Sequence, residues 1–411
     1  MILLFLTSGL FLGWSLGAND ASNAFGSAVG SKMVSFRTAA IIASIAVILG
    51  AVMQGSGTSQ TLGKLGSVNA IGGSFTLALA SAVTVYLMTK LSIPVSTTQA
   101  IVGAIIGWNL FTGNRTDAAT LSTIVISWIS GPVLGALFAI PLFIFITAVK
   151  KRSGIHLIRF ESYIRTGLII TGAFAAYSLG ANNIANVMGV FLPAFNLQEL
   201  NLGIISLNSS QQLFLLGGIA IATGIITYSK KVMQTVGASI VELSPEAAMV
   251  VVLAQSLVLF VFSSSSLSSF LKGAGLPSIP LVPISSSQVI IGCVLGIGIY
   301  RGVRNINFRL LGQIGAGWIA TPVITCILTY LSLFFFKNMF NIDVGHRITE
   351  GAVSPGAAQT VTDPVISDLM RYLLLGILAA GFFVILYYYI LERNKRKELQ
   401  RSEIKFWKNI K

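Results

Sequence analysis

The sequence predicts an all-α polytopic membrane protein with two inverted repeats of five membrane segments plus one C-terminal helix, and with broken helices or half-helices at the midplane. Three observations predict this class: an excess of apolar residues, short motifs that occur twice in the same order, and polar residues inside apolar segments. Of the 411 residues, 54% are hydrophobic and 10% are charged. A soluble protein carries about 25% charged residues, so the composition excludes an ordinary soluble domain.

Apolar windows long enough to cross a bilayer fall into two sets of five, with one further segment near the end. The predicted segments are about 2–30, 36–56, 68–90, 94–111 and 118–149, then 163–191, 211–229, 245–271, 281–300 and 308–337, and finally 369–391. This pattern divides the chain into a first repeat (1–150), a second repeat (155–340), an extracytoplasmic loop (341–367), an extra helix (368–392) and a basic tail (393–411).

The charge distribution predicts how the chain is oriented. The net charge is +14, from 27 basic and 13 acidic residues. The basic residues lie almost entirely between and after the apolar segments, which favours contact with anionic lipid over a nucleic-acid partner. The tail carries Arg393, Lys395, Arg396, Lys397, Arg401, Lys405, Lys408 and Lys411. We therefore expect an integral plasma (inner) membrane protein whose C-terminus is cytoplasmic and, after eleven segments, whose N-terminus is outside.

Motifs that occur twice indicate an internal repeat. Ile93–Gln99 recurs as Val282–Gln288, and the Gly-Ala-Asn-Asp of 17–20 recurs as Gly-Ala-Asn-Asn at 180–183. Two further pairs, in the same order, are Gln60–Gly63 with Gln234–Gly237 and Trp128–Pro132 with Trp318–Pro322. Because five crossings is an odd number, the second unit must enter from the opposite face. Inverted repeats of this kind are typical of secondary transporters.

The first segment of each repeat contains a cluster of Gly and Asn residues, Gly17–Ala24 and Gly180–Val187. Both residue types disfavour helix interiors, so we predict unwound backbone at Gly17 and Gly180 with carbonyls free to ligate a hard cation. Asp20 lies within the first cluster. An ionisable side chain at membrane depth is costly and is functional by default, so Asp20 is a candidate cation ligand.

The second paired motif places four hydrogen-bonding side chains directly after a proline suited to the start of a helix. The free amides of a helix N-terminus, backed by hydroxyls, form an anion site without a basic residue. Capping by Ser96 or Ser285 explains one hydroxyl per helix only. The candidate anion ligands are Ser96, Thr97, Thr98 and Gln99 in one repeat and Ser285, Ser286, Ser287 and Gln288 in the other. Since no Lys or Arg lies well inside the predicted spans, a co-bound cation must help neutralise the anion, which predicts a symporter.

These motifs, Gly17–Ala24, its copy at 180–187 and the Pro-Val-Ser-Thr-Thr of 94–98, resemble the paired signatures of the inorganic phosphate transporter (PiT) family. The resemblance implies sodium- or proton-coupled phosphate uptake through two inverted repeats, with sulfate carried by a few members. It implies that Asp20, Asn19, Asn182 and Asn183 lie at the cation site, and that Asn23 and Asn186 join the Ser and Thr blocks around the anion. Inorganic phosphate, Na+ and the lipid bilayer are the implied partners; no cofactor is expected, and the sequence leaves a homodimer open.

Three positions depart from the family pattern. Asn183 stands where the family usually repeats an aspartate, and Gln99 and Gln288 stand where many members have histidine. An amide does not titrate, so we expect Na+ rather than H+ to be the coupling ion. Glu242 and Glu246, near a segment end, are expected to be solvated or interfacial.

Other functions would use parts of the same pattern. A permease for sulfate or another tetrahedral oxyanion would use the same cradle, and a passive anion channel could also use paired half-helices. An enzyme is not expected, because a nucleophilic serine needs a base and the histidines, His156 and His346, fall in predicted loops.

Overall fold

The computed structural model describes residues 2–90, 95–154, 156–201, 206–236, 244–302 and 308–346. In these ranges the chain is mostly helical. The helices are α1 (Ile2–Gly30), α2 (Phe36–Gln54), α3 (Ser56–Leu65), α4 (Ile71–Lys90), α5 (Thr97–Thr112), α6 (Ala118–Ser153), α7 (Leu157–Met188), α8 (Ser209–Thr227), α9 (Ser229–Val236), α10 (Pro245–Ser263), α11 (Ser265–Gly273), α12 (Ser286–Tyr300) and α13 (Phe308–Phe340). A 3-10 helix (Gly189–Ala194) and an antiparallel pair of short strands, β1 (Leu200–Asn201) and β2 (Ser206–Leu207), connect α7 to α8.

Seven helical stretches in the described part of the chain are long and apolar enough to cross a membrane. They are Phe36–Gln54, Ile71–Lys90, Ala118–Ser153, Arg159–Ala194, Ser209–Thr227, Pro245–Ser263 and Leu311–Phe340. The outermost surface of these helices is apolar: Ile129 and Phe145 on α6, and Ile327 and Phe335 on α13, are all exposed. Such a surface is what a helix presents to lipid.

The predicted half-helices are confirmed at the paired motifs that end at Gln99 and Gln288. The sequence placed segments at 94–111 and 281–300, but α5 has 16 residues and begins at Thr97, and α12 has 15 residues and begins at Ser286. At 1.5 Å per residue they are about 24 Å and about 22 Å long, shorter than the ~30 Å apolar core of a bilayer. Both helices therefore start inside the protein. The predicted segment 245–271 also divides, into α10 and α11, at Ser264.

The predicted unwinding at Gly17 and Gly180 is wrong. α1 and α7 run through these glycines without a break. The glycines instead allow two backbones to approach closely: a Cβ added at Gly17 would lie 2.0 Å from the carbonyl oxygen of Ile221 on α8, and one at Gly180 would lie 2.1 Å from that of Val47 on α2. Glycine is required there because the packing leaves no room for a side chain.

The contacts between the two halves are reciprocal. A Cβ at Gly103 on α5 would lie 2.2 Å from the Pro322 carbonyl oxygen on α13, and one at Gly292 on α12 would lie 2.1 Å from that of Pro132 on α6. In the repeat, Gly103 corresponds to Gly292 and Pro322 corresponds to Pro132, so each contact is the counterpart of the other. This exchange is what two halves related by an approximate two-fold rotation require, so it supports the predicted repeats (1–150 and 155–340), whose boundaries remain a prediction.

Several sequence predictions lie wholly or largely outside the described residues. The helix at 368–392 and the basic tail at 393–411 do so, as do Glu242 and Pro94. Of the loop at 341–367, only 341–346 is described.

We predict that Gly103→Ala lowers the melting temperature of the detergent-solubilised protein. Replacing a helical glycine with alanine is ordinarily stabilising by about 0.5–1 kcal/mol. Here the new methyl group would overlap the Pro322 carbonyl oxygen and push α5 away from α13. Gly315→Ala on α13 is the matched control, because no heavy atom lies within 4 Å of its added Cβ. A Gly103→Ala protein that melts at or above the temperature of the unaltered protein would contradict this account of the contact.

Candidate functional site

The buried starts of α5 and α12 form the centre of the candidate site. Ser96 caps α5 by accepting a hydrogen bond from the Gln99 amide at 3.3 Å, and Ser285 caps α12 by accepting one from the Gln288 amide at the same distance. We call Ser96–Gln99 the first block and Ser285–Gln288 the second block. No residue of either block is more than 5% exposed. Capping therefore occupies one hydroxyl in each block, and the others are buried without that role.

Each block contacts the residue that precedes the other block. The Ser287 hydroxyl of the second block donates to the carbonyl oxygen of Val95 at 3.3 Å. The Thr98 hydroxyl of the first block donates to the carbonyl oxygen of Ile284 at 3.4 Å. Val95 and Ile284 precede the two half-helices, so each helix start is held by a hydroxyl from the opposite half.

Asparagines on α1 and α7 donate hydrogen bonds to the same two carbonyls. Asn182 clamps Ile284 with two bonds: its Nδ2 donates to the Ile284 carbonyl oxygen at 2.8 Å, and its Oδ1 accepts from the Ile284 amide at 2.9 Å. Asn19 donates from Nδ2 to the Val95 carbonyl oxygen at 3.4 Å and to Asp20 Oδ1 at 2.8 Å. The long helices therefore position the starts of the short ones.

Asp20 connects the first half to the second block. It is 2% exposed, and its Oδ2 accepts a hydrogen bond from the Ser286 hydroxyl at 3.0 Å. Asn23 Nδ2 also donates to the Ser286 oxygen, at 3.3 Å. Among the described residues, no basic side chain forms an ion pair with Asp20. A buried carboxylate that lacks a cationic side chain is well placed to bind a cation.

Asn183 occupies the position in α7 that Asp20 occupies in α1. Its Oδ1 accepts from Asn182 Nδ2 at 3.3 Å and from Asn186 Nδ2 at 3.0 Å, which fixes the orientation of the amide. Asn186 Nδ2 also donates to the Thr98 hydroxyl at 2.9 Å. Asn183 Nδ2 and Asn186 Oδ1 are buried and have no hydrogen-bond partner among the described residues. The cluster therefore offers one further donor and one further acceptor to a ligand.

This arrangement can serve an anion and a cation side by side. The free helix amides of both blocks are anion donors. Asp20 and Asn186 Oδ1 supply oxygen ligands that a hard cation prefers, whereas the Val95 and Ile284 carbonyls each already accept two hydrogen bonds. The described residues hold no group of three His, Cys, Asp or Glu side chains, so the cation chemistry is that of one carboxylate with neutral oxygens. In this cluster the non-helical backbone lies at Val95 and Ile284, and not at Gly17 and Gly180.

All fourteen predicted site residues are at most 8% exposed, and they lie on α1, on α7 or at the starts of α5 and α12. Hydrogen bonds bring most of them together, whereas the side-chain oxygens of Gln99 and Gln288 have no partner among the described residues. The Val95 and Ile284 carbonyls are not among the predicted ligands, because a backbone carbonyl leaves no signal in a sequence. Glu246 lies elsewhere, paired with Lys150 Nζ at 2.7 Å, which agrees with an interfacial position.

Comparisons with known proteins identify the family of the chain. A model described as the phosphate transporter family matches residues 16–329. A protein of Thermococcus kodakarensis named "Putative phosphate permease" is 25% identical over 82% of this chain and 97% of its own length. Proteins of the same name in Methanocaldococcus jannaschii and Haemophilus influenzae are each 26% identical, over 79% and 81% of this chain and 95% and 96% of their own lengths.

A solved structure described as "The sodium-dependent phosphate transporter" has the same fold. Its TM-score is 0.63, at 26% sequence identity, and the match covers 82% of this chain and 98% of that one. The family match spans both blocks and both Asn clusters. With its apolar membrane-length helices, the chain is an integral membrane protein and belongs to the phosphate transporter family.

Proposed function

We propose that this protein is a secondary active symporter that takes up inorganic phosphate together with Na+. The observation that carries the proposal is the hydrogen bond from the Ser286 hydroxyl to Asp20, which joins the buried carboxylate of one half to the second block. In the proposal this block binds the anion. A carboxylate next to an anion site is repulsive unless a cation binds between or beside them. Binding of the two ions is thereby coupled, as a symporter requires.

The anion half of the proposal rests on donors alone. Two helix N-termini with their hydroxyls meet at the Val95 and Ile284 carbonyls, and Asn183 Nδ2 adds an unpartnered donor. The two helix termini together contribute about one elementary charge, which is less than a doubly ionised phosphate carries. A co-bound cation supplies the remainder.

The choice of Na+ over H+ rests on the side chains of the cluster. His156 lies just before α7 and His346 lies after α13, so neither histidine is part of it. Of the fourteen predicted site residues, Asp20 is then the one whose side chain is titratable. Asn186 Oδ1 can bind a metal cation and cannot carry a proton. The similar solved structure is that of a sodium-dependent transporter, which favours the same ion.

The same reasoning favours a carrier over an enzyme. Ser286 contacts Asp20, but no His or Lys of the described residues joins this pair as a base. A serine nucleophile would lack its activating group. A passive channel needs weak binding, and it has no use for a carboxylate beside the anion.

The proposed arrangement in the membrane has the N-terminus outside and the C-terminus in the cytoplasm, in a plasma (inner) membrane. The exposed apolar faces of α6 and α13 contact lipid. In this arrangement, the two inverted repeats would open the site alternately to the two sides.

Asp20→Asn is predicted to abolish concentrative phosphate uptake in proteoliposomes. The substitution keeps the size of the side chain but removes the buried negative charge that attracts the cation. Asp117→Asn is the matched control, because Asp117 caps the exposed start of α6 and asparagine is an equally good cap. Gradient-driven accumulation by the Asp20→Asn protein at the level of the control would refute the assignment of Asp20.

Asn182→Ala is predicted to raise the KM for phosphate by about tenfold or more. It removes both hydrogen bonds to Ile284, each worth about 1 kcal/mol, and so loosens the start of α12. Asn208→Ala is the control: it removes the cap of α8, at a distance along the chain from either block, and should lower stability without changing the KM. Equal KM values in the two variants would show that the clamp does not position the anion site.

The coupling ion is tested with labelled phosphate in proteoliposomes, with the Na+ gradient and the pH gradient imposed one at a time. We expect accumulation with the Na+ gradient at equal pH, and none with the pH gradient in Na+-free buffer. Accumulation driven by the pH gradient alone would identify H+ as the coupling ion. Labelled sulfate in the same vesicles tests the other substrate, and sulfate accumulation above that of phosphate would make the protein a sulfate permease.

A further inference from the structure

Four buried polar atoms outside the hydrogen-bonded cluster form two equivalent sets. They are the side-chain oxygens of Gln99 and Gln288 and the indole nitrogens of Trp128 and Trp318, and none has a hydrogen-bond partner among the described residues. The two glutamines correspond to each other in the repeat, and so do the two tryptophans. Among the unpaired buried atoms of each half, one glutamine oxygen and one indole nitrogen therefore have a counterpart in the other half.

The packing of α5 on α13 fixes the register between these helices. Added Cβ atoms at Gly103 and Gly107 would lie 2.2 Å from the Pro322 carbonyl oxygen and 2.5 Å from that of Cys326, respectively. The step of four residues from Gly103 to Gly107 along α5 matches the step of four residues from Pro322 to Cys326 along α13. The two helices therefore run side by side in the same direction.

One turn before these contacts, α5 carries Gln99 and α13 carries Trp318. Residues four apart lie on the same face of a helix, so Gln99 shares the face of Gly103, and Trp318 shares the face of Pro322. Both side chains lean toward the N-terminal ends of their helices. The unpaired acceptor and the unpaired donor thus lie on facing surfaces at the first turn of α5, within the first block.

The other half repeats this arrangement. A Cβ at Gly292 on α12 would lie 2.1 Å from the Pro132 carbonyl oxygen on α6. One turn earlier on each helix are Gln288 and Trp128, at the first turn of α12.

The same donor and acceptor are unpaired in both halves, and in each half they lie one turn before the close contact of a half-helix with α13 or α6. Each such buried group costs about 1–3 kcal/mol. The indole nitrogens do not reach lipid, because the nitrogen atoms themselves are buried even though the rings are partly exposed. The groups do not bond each other either, so a ligand with both an acceptor and a donor completes each pair.

We propose that the Gln99–Trp318 and Gln288–Trp128 pairs bind the transported anion and select its protonated form, with the indole N–H donating to an unprotonated phosphate oxygen and the glutamine oxygen accepting from the P–O–H group. This inference rests on the proposed function. Sulfate has no O–H group at neutral pH, so it would leave the glutamine acceptor unpaired. Trp128 and Trp318 are then further binding residues, and Gln99 and Gln288 determine specificity.

Trp128→Phe and Trp318→Phe test the donors, because they remove the N–H group and keep a ring. Trp14→Phe is the control, since the Trp14 indole already donates to the Thr227 hydroxyl at 3.0 Å. We expect each test variant to raise the KM for phosphate by roughly tenfold or more, the loss of a hydrogen bond to a charged group. Phosphate should also change the tryptophan fluorescence of the detergent-solubilised unaltered and Trp14→Phe proteins. It should not change the fluorescence of the double variant that carries both Trp128→Phe and Trp318→Phe.

Gln99→Met and Gln288→Met test the acceptors, because methionine has a similar length and a thioether sulfur, which is only a weak acceptor. Competition against labelled phosphate uptake should show a weaker effect of arsenate, which carries an O–H group, and an unchanged effect of sulfate. The inference is overturned if both Trp→Phe variants keep the phosphate KM of Trp14→Phe and the double variant keeps the fluorescence change. It is equally overturned if the Gln→Met variants weaken inhibition by arsenate and sulfate alike. Failure of the unaltered protein to take up phosphate would instead refute the proposed function.

Discussion

Two helices that begin inside the protein must find partners for their first backbone groups without water, and this constraint organises the site. Ser96 and Ser285 satisfy one amide each, and hydroxyls from the opposite half satisfy the carbonyls just before each helix. The same carbonyls also accept hydrogen bonds from Asn19 and Asn182 of their own halves, so each helix start is held by both halves. The candidate anion site therefore lies where the two halves meet, and a relative movement of the halves would change it directly.

The surrounding frame is built by close backbone approach. Glycines at Gly17 and Gly180 bring α1 against α8 and α7 against α2, while Gly103 and Gly292 seat the half-helices on α13 and α6. The long helices therefore remain continuous and rigid, and they present Asn19, Asp20, Asn182 and Asn183 at fixed positions. Around the candidate site, irregular backbone lies at the residues directly before α5 and α12, where Val95 and Ile284 are buried.

The sequence predicts the parts of this site that have a pattern. Apolar windows predict the membrane helices, and the repeated blocks and Asp20 identify candidate binding residues, because polar groups at membrane depth stand out. It does not predict that α1 and α7 stay helical, because a Gly and Asn cluster is compatible both with unwinding and with tight packing, and only the neighbouring helix decides. The Val95 and Ile284 carbonyls and the facing of Trp318 on Gln99 depend on register between distant segments, which no local pattern contains.

The central claim is that one anion binds between the starts of α5 and α12, beside a cation held by Asp20. The most direct measurement is an experimental structure of the protein with Na+ and arsenate, whose arsenic atom can be located by its anomalous scattering. We expect one arsenate per chain, within hydrogen-bonding distance of both Ser96–Gln99 and Ser285–Gln288, with a Na+ ion on the Asp20 carboxylate. An arsenate that contacts one block alone, or that binds away from both, would contradict the claim.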